Sequence, residues 1–287
     1  MKEEAKKISN AAAGALFLHL AATIAVRILH GGLTFTLDAS DMIYNIISSM
    51  LVLCIAYFSF NAFCKRMGCS HSASSRREHT PISDTAAIIL ICGPSIFLIG
   101  KVYSSLFSDN ASAYIPQNDG IYEYLLAFIL YVVVPVFFEE LVFRYCFARE
   151  FRIFGSVGAI ILSSLLFGLT HFSFSAFPYA FICGIILAAA YYITGRPSVP
   201  LAIHFINNAA GFASAIIYRY SADAKKISTA TTIIAVALVA VGLALLLLGG
   251  KRKRRAEGEE EHALAADALT PAMTLYLLCA VAVHVFM

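Results

Sequence analysis

Tryptophan is absent from the 287 residues, and charge is scarce: Asp, Glu, Lys and Arg together make up 14% of the chain. A soluble domain carries about 25%. With 60% hydrophobic residues and a mean hydropathy of +0.77, that shortage excludes an ordinary water-facing surface. A net charge of +3 is too small to mark a nucleic-acid-binding face. CxxC pairs are missing too. The seven cysteines (Cys54, Cys64, Cys69, Cys92, Cys146, Cys183 and Cys279) are scattered, five of them inside apolar stretches. Neither a disulfide framework nor a thiolate zinc site is expected, and the thiols read as small buried hydrophobes. There is no HExxH motif, and no internal repeat of the kind that builds many transporters. The start, Met-Lys-Glu-Glu, leads into an apolar run without a small-residue cleavage site, so no cleaved signal peptide is expected.

What is present is hydrocarbon. Stretches approaching the roughly 20 residues a bilayer requires recur at about 11–29, 41–64, 83–107, 120–149, 155–171, 176–195, 198–220, 227–250 and 266–286. The expectation is an all-α, polytopic transmembrane bundle of about eight to nine spans, with the first and last the weakest. Fourteen tyrosines stand in for tryptophan as interface anchors. Three regions follow: N-terminal spans with a Ser-rich loop over 1–119, a central unit over 120–221, and C-terminal spans over 222–287 with a charged linker at 250–262. The fourth span is longer than a bilayer needs, and Pro135 is its candidate kink.

Short-loop Lys and Arg favour one orientation. Lys2, Lys6 and Lys7, then Lys65, Arg66, Arg76 and Arg77, then Arg149, Arg152, Arg196 and the basic run 251–255 fall on one side, which places the N-terminus in the cytoplasm. Arg219, Lys225 and Lys226 break the pattern. Arg27 and Lys101, near span ends, are expected to snorkel. The basic-to-acidic block at 251–261 reads as a topology anchor followed by a solvated stretch.

Three polar groups interrupt the apolar spans of the central unit: Glu139-Glu140-Leu-Val-Phe-Arg144, Phe167-Gly-Leu-Thr-His171 and His204-Phe-Ile-Asn-Asn208. Glu140 and Arg144, Phe167 and His171, and His204 and Asn208 are each four residues apart and share a helix face. A carboxylate near the bilayer centre costs about 2.5–3.5 kcal/mol on insertion scales. Arg144 can neutralise Glu140, which leaves Glu139 without a local partner. Each group alone has a bland explanation: a packing histidine, an amide that glues helices, a structural ion pair. Together, from three helices, they form a poor packing solution and a good hydrolytic one.

In that reading desolvation makes Glu139 a usable general base for a trapped water. His171 orients the water, His204 and Asn208 stabilise the oxyanion, and Glu140 with Arg144 supports the site. Glu139, His171 and His204 also form an adequate zinc ligand set with an open fourth position, so zinc and no metal at all both stay open. At about 1.5 Å per residue, Glu139 lies about 15 Å from the inner end of its span, His204 about 10 Å and His171 about 24 Å. A shared site therefore requires the fifth helix to begin outside the membrane or to tilt.

The ordered triple EExxxR, FxxxH and HxxxN on consecutive spans resembles the CPBP (Abi) family, which includes the type II CAAX prenyl proteases and bacteriocin-processing or immunity relatives. The resemblance covers roughly 122–212, with every motif position filled. It implies an intramembrane endopeptidase with Glu139 as base, His171 as its partner on water or metal, and His204 and Asn208 as the oxyanion site. It implies a membrane-associated peptide or lipidated protein as substrate, the lipid bilayer as surroundings, no nucleic acid, and the cell membrane as location in a bacterial host. The alternatives are a catalytically inactive immunity or scaffold protein of the same fold, and a proton-coupled transporter.

Overall fold

A computed structural model describes residues 1–30, 39–69, 80–107, 116, 120–248 and 265–286. No strand occurs among them. In lipid each backbone N–H and C=O must be satisfied inside the chain, and for apolar runs of this length the helix does so within one segment. The helices are α1 (Lys2–Leu29), α2 (Ala39–Met67), α3 (Ile82–Phe107), α4 (Ile121–Ala148), α5 (Gly155–Leu169), α6 (Phe177–Thr194), α7 (Ser198–Tyr220), α8 (Ala224–Leu248) and α9 (Pro271–Phe286). Eight are long and apolar enough to cross a membrane, α5 being counted with the 3-10 turn Phe151–Phe154 that precedes it. The stretch read as a ninth span is the 16-residue α9. The protein is an integral membrane helical bundle.

Helix α4 lies at the centre, touching α2, α5 and α7. Its second half shares one large apolar core with α1, α2, α5 and α6, through Phe60, Phe143, Phe147 and Phe167 among others. Its first half packs on Met42 of α2 and Phe212 of α7. Helix α3 joins α6, α7 and α8. The apolar window of α8 is only 11% buried, and Leu247 and Leu248 are more than four-fifths exposed, as a lipid-facing helix demands.

Lys101, expected to snorkel, has polar partners on a neighbouring helix. Its Nζ donates to Ser228 O and to Thr232 Oγ1, both at 2.7 Å, and so ties α3 to α8. Arg219, out of place by charge counting, donates to Pro116 O at 2.8 Å. Residues 31–38, 70–79, 108–115, 117–119, 249–264 and 287 lie outside the described residues. So do the orientation signals there: Arg76, Arg77 and the basic run 251–255, together with the acidic stretch after it.

Candidate active site

Pro135 shapes the motif helix before the glutamates are reached. It has no N–H, so the carbonyl of Tyr131, four residues earlier, loses its helical donor. The backbone relaxes into a π-helical turn over Ile129–Val133, and Asn208 Nδ2 from α7 donates to the Tyr131 oxygen at 3.2 Å. The chain is α-helical again over Val134–Glu140 and π-helical over Leu141–Ala148. Both glutamates thus end a short α-helical insert between two π segments, a type of irregularity frequent at functional sites.

The two carboxylates have different surroundings. Glu140 is buried, with its side chain 4% exposed, whereas Glu139 keeps 18%. His204 Nδ1 donates to Glu140 Oε1 at 2.9 Å. The other ring nitrogen, Nε2, lies 3.8 Å from Glu139 Oε2, beyond hydrogen-bond range. The imidazole therefore sits between the two acids, held by one and facing the other. Arg144 Nε is 3.3 Å from Glu140 Oε2, yet the contact lacks hydrogen-bond alignment, and none of the three guanidinium nitrogens is hydrogen-bonded. We read it as a charge contact. Part of the compensation comes from the Phe167 ring, whose centroid is 4.6 Å from the guanidinium carbon.

Phe167 is also where the second motif meets the first. It packs on Phe143 at 5.2 Å and lies 6.1 Å from the His204 ring. His171 stands edge-on to Phe167 at 5.1 Å, and its Nδ1 bonds to the Phe167 carbonyl at 3.1 Å. A carbonyl only accepts, so Nδ1 carries the proton and Nε2 is left as the working atom. The end of α5 is therefore level with the motif of α4, despite the depth difference that equal counting from the inner face gives. His171 itself lies past the helix, in the turn that follows Leu169. The next residue, Phe172, has φ 47, a conformation a non-glycine side chain rarely adopts. Its ring stacks on buried His19 of α1 at 5.9 Å.

Three features are invisible in the motif spacing. Glu140 grips His204 as well as meeting Arg144. Asn207 Nδ2 donates to Asn208 Oδ1 at 3.2 Å, and the Tyr179 hydroxyl of α6 donates to Asn207 Oδ1 at 3.2 Å. His19 reaches the His171 turn from a helix outside the central unit. Only Asn207, adjacent to a motif residue, left a cue in the sequence. Among the described residues no group of three or more His, Cys, Asp or Glu side chains is arranged to hold a metal ion.

Fold and site together define a class: a polytopic helical membrane protein with a paired carboxylate, two histidines and an amide on two neighbouring helices and in the turn that follows a third. Residues 121–210 match the family model described as type II CAAX prenyl endopeptidase Rce1-like. The segment agrees with the 122–212 stretch that carries the three motifs. No curated protein matches the chain, and no solved structure does.

Proposed function

We propose that the protein is an intramembrane endopeptidase of the CAAX-protease type, and that residues 120–221 are its catalytic unit. The observation that carries the reading is the position of His204 between two unlike acids: Nδ1 donated to buried Glu140, Nε2 facing the more open Glu139. Glu140 fixes the tautomer and orientation of the ring, as the carboxylate of a catalytic triad does for its histidine. Glu139 is then free to act as base.

In this mechanism Glu139 takes a proton from a water oriented by His171 Nε2, and the resulting hydroxide attacks the scissile carbonyl. Protonated His204 donates its Nε2–H to the oxyanion. Asn208 commits one amide hydrogen to Tyr131 O and offers the second. Protonated Glu139 then passes its proton to the leaving amine, which restores the carboxylate. The Arg144 guanidinium is the counter-charge beside Glu140, the residue that holds His204. The substrate is a membrane-associated peptide or the C-terminus of a lipidated protein, cut near the cytoplasmic face, with the N-terminus of the enzyme on that side.

The test is cleavage of a pool of prenylated and unprenylated peptides by the purified protein in detergent, with and without a chelator. Wild type is expected to cleave, and Glu139→Gln to lose about 10²–10⁴-fold in kcat as a lost general base does. Equal cleavage by wild type and Glu139→Gln overturns the mechanism. A wild type that cleaves nothing while Glu139→Gln keeps its biological activity supports an inactive scaffold instead.

A further inference from the structure

The last turn of α2 closes in a way the catalytic reading does not use. Gly68 takes φ 63, its N–H meets Lys65 O at 3.3 Å, and Cys69 N–H meets Cys64 O at 2.9 Å. This is a Schellman-type ending, in which the residue after the left-handed position folds back to touch the side chain five positions earlier. Elsewhere that contact joins two hydrophobic side chains. Here both positions carry thiols, and the two side chains are near enough to influence each other electrostatically. Cys64 is 1% exposed, inside the main core, and Cys69 packs on that core from its edge, half-buried.

We propose that Cys64 and Cys69 form a thiol–disulfide couple, with Cys69 as the entry thiol and Cys64 as the resolving thiol, closing a disulfide across the C-terminal turn of α2. The motif supplies what the bond requires: two α-carbons held close by the backbone and side chains that converge. The step balances with a low-molecular-weight disulfide such as oxidised glutathione. Cys69 sulfur attacks one glutathione sulfur and expels the first glutathione thiol. Cys64 sulfur then attacks Cys69 sulfur and expels the second. Two protons and two electrons leave the pair, and one glutathione disulfide is reduced to two thiols.

Burial pushes the Cys69 thiol up, which makes the pair a slowly equilibrating couple rather than a fast peroxide sensor. Cys146 is the competing partner for Cys64. Its sulfur is already engaged by Asn61 Nδ2 at 3.7 Å, and it is buried. In the proposed topology the turn faces the cytoplasm, where such a pair stays reduced until the thiol pool is oxidised.

The test is a glutathione redox titration of the whole protein in detergent micelles, trapped by alkylation and read by peptide mass spectrometry. The expected product is a 64–69 crosslink lacking two hydrogens. The folded protein is expected to favour it at least about tenfold over the same chain unfolded in SDS, a shift of about 30 mV. Gly68→Ala, which strains the left-handed turn, is expected to move half-oxidation to more oxidising glutathione ratios. A 64–146 crosslink, a stable glutathione adduct on Cys69 without closure, or equal propensity in the folded and SDS-unfolded chain each overturns the proposal. None of these readouts depends on peptidase activity.

Discussion

Glu139 and Glu140 are neighbours with opposite jobs, and substitution separates them. Glu140→Gln removes the charge that holds His204 Nδ1 and leaves the guanidinium of Arg144, 1% exposed, without its counter-ion. Breaking a buried ion pair from one side costs about 3–5 kcal/mol, so thermal unfolding in detergent is expected to show a large loss of stability as well as of activity. Glu139→Gln is expected to unfold at the wild-type temperature while losing peptidase activity. Tyr179 makes a finer case, because it reaches Asn208 through Asn207. Tyr179→Phe is expected to lower kcat about tenfold, one hydrogen bond to a charge-stabilising group, with KM unchanged. Combined with Asn208→Ala it is expected to cost nothing further, since the two act as a unit. Additive losses in that double-mutant cycle would assign Tyr179 a separate role. The motif members were legible because a helix brings residues four apart to one face. The grip of Glu140 on His204 was not. It spans 64 positions and depends on how a helix is rotated, which spacing along one helix does not encode.

At the scale of the element, hydropathy located the spans, because lipid dictates composition over each of them. It was silent on backbone pairing. A count of apolar residues cannot tell an i→i+4 turn from an i→i+5 turn, so the π segments that bracket the glutamates were reduced to a candidate kink at Pro135. Pro135→Ala tests what that kink does. The new N–H can restore the bond to Tyr131 O, which competes with Asn208 for the same acceptor. Thermal stability is expected to hold or rise, and kcat to fall about tenfold as Asn208 loses its anchor. A variant with wild-type kcat would mean that the Asn208–Tyr131 contact does not position the amide. Gly155 is the complementary element. With φ 75 and ψ 167 it occupies a region open essentially to glycine, and it lets the Phe151–Phe154 turn swing directly into α5. Gly155→Ala is expected to cost about 1–3 kcal/mol, measurable as a lower midpoint in a thermal melt.

For the whole molecule, the proposed catalytic unit and the helices around it differ in how they are attached, and two glycines expose the difference. A Cβ at Gly242 of α8 would meet Ala87 O of α3 at 2.9 Å and Ile91 Cγ1 at 2.8 Å. A Cβ at Gly184 of α6 would meet Ser164 Cα of α5 at 3.0 Å and Phe167 Cδ1 at 3.1 Å. Both are close helix crossings of the kind small residues permit in membranes, and leucine at either position forces the pair apart. The consequences diverge because of what each crossing supports. Behind Gly242 lie α3 and a lipid-facing helix secured by the bonds of Lys101 to Ser228 and Thr232. Behind Gly184 lies Phe167, the ring that contacts Arg144, His171 and His204 together. Gly242→Leu is therefore expected to loosen α8 with little change in kcat. Gly184→Leu is expected to abolish cleavage by moving Phe167 away from all three. Protease accessibility of α8 reports the first, and peptide turnover the second. The result that would sink this division is loss of turnover in Gly242→Leu, for then α8 belongs to the catalytic unit although α7 is the motif helix it touches, and only slightly.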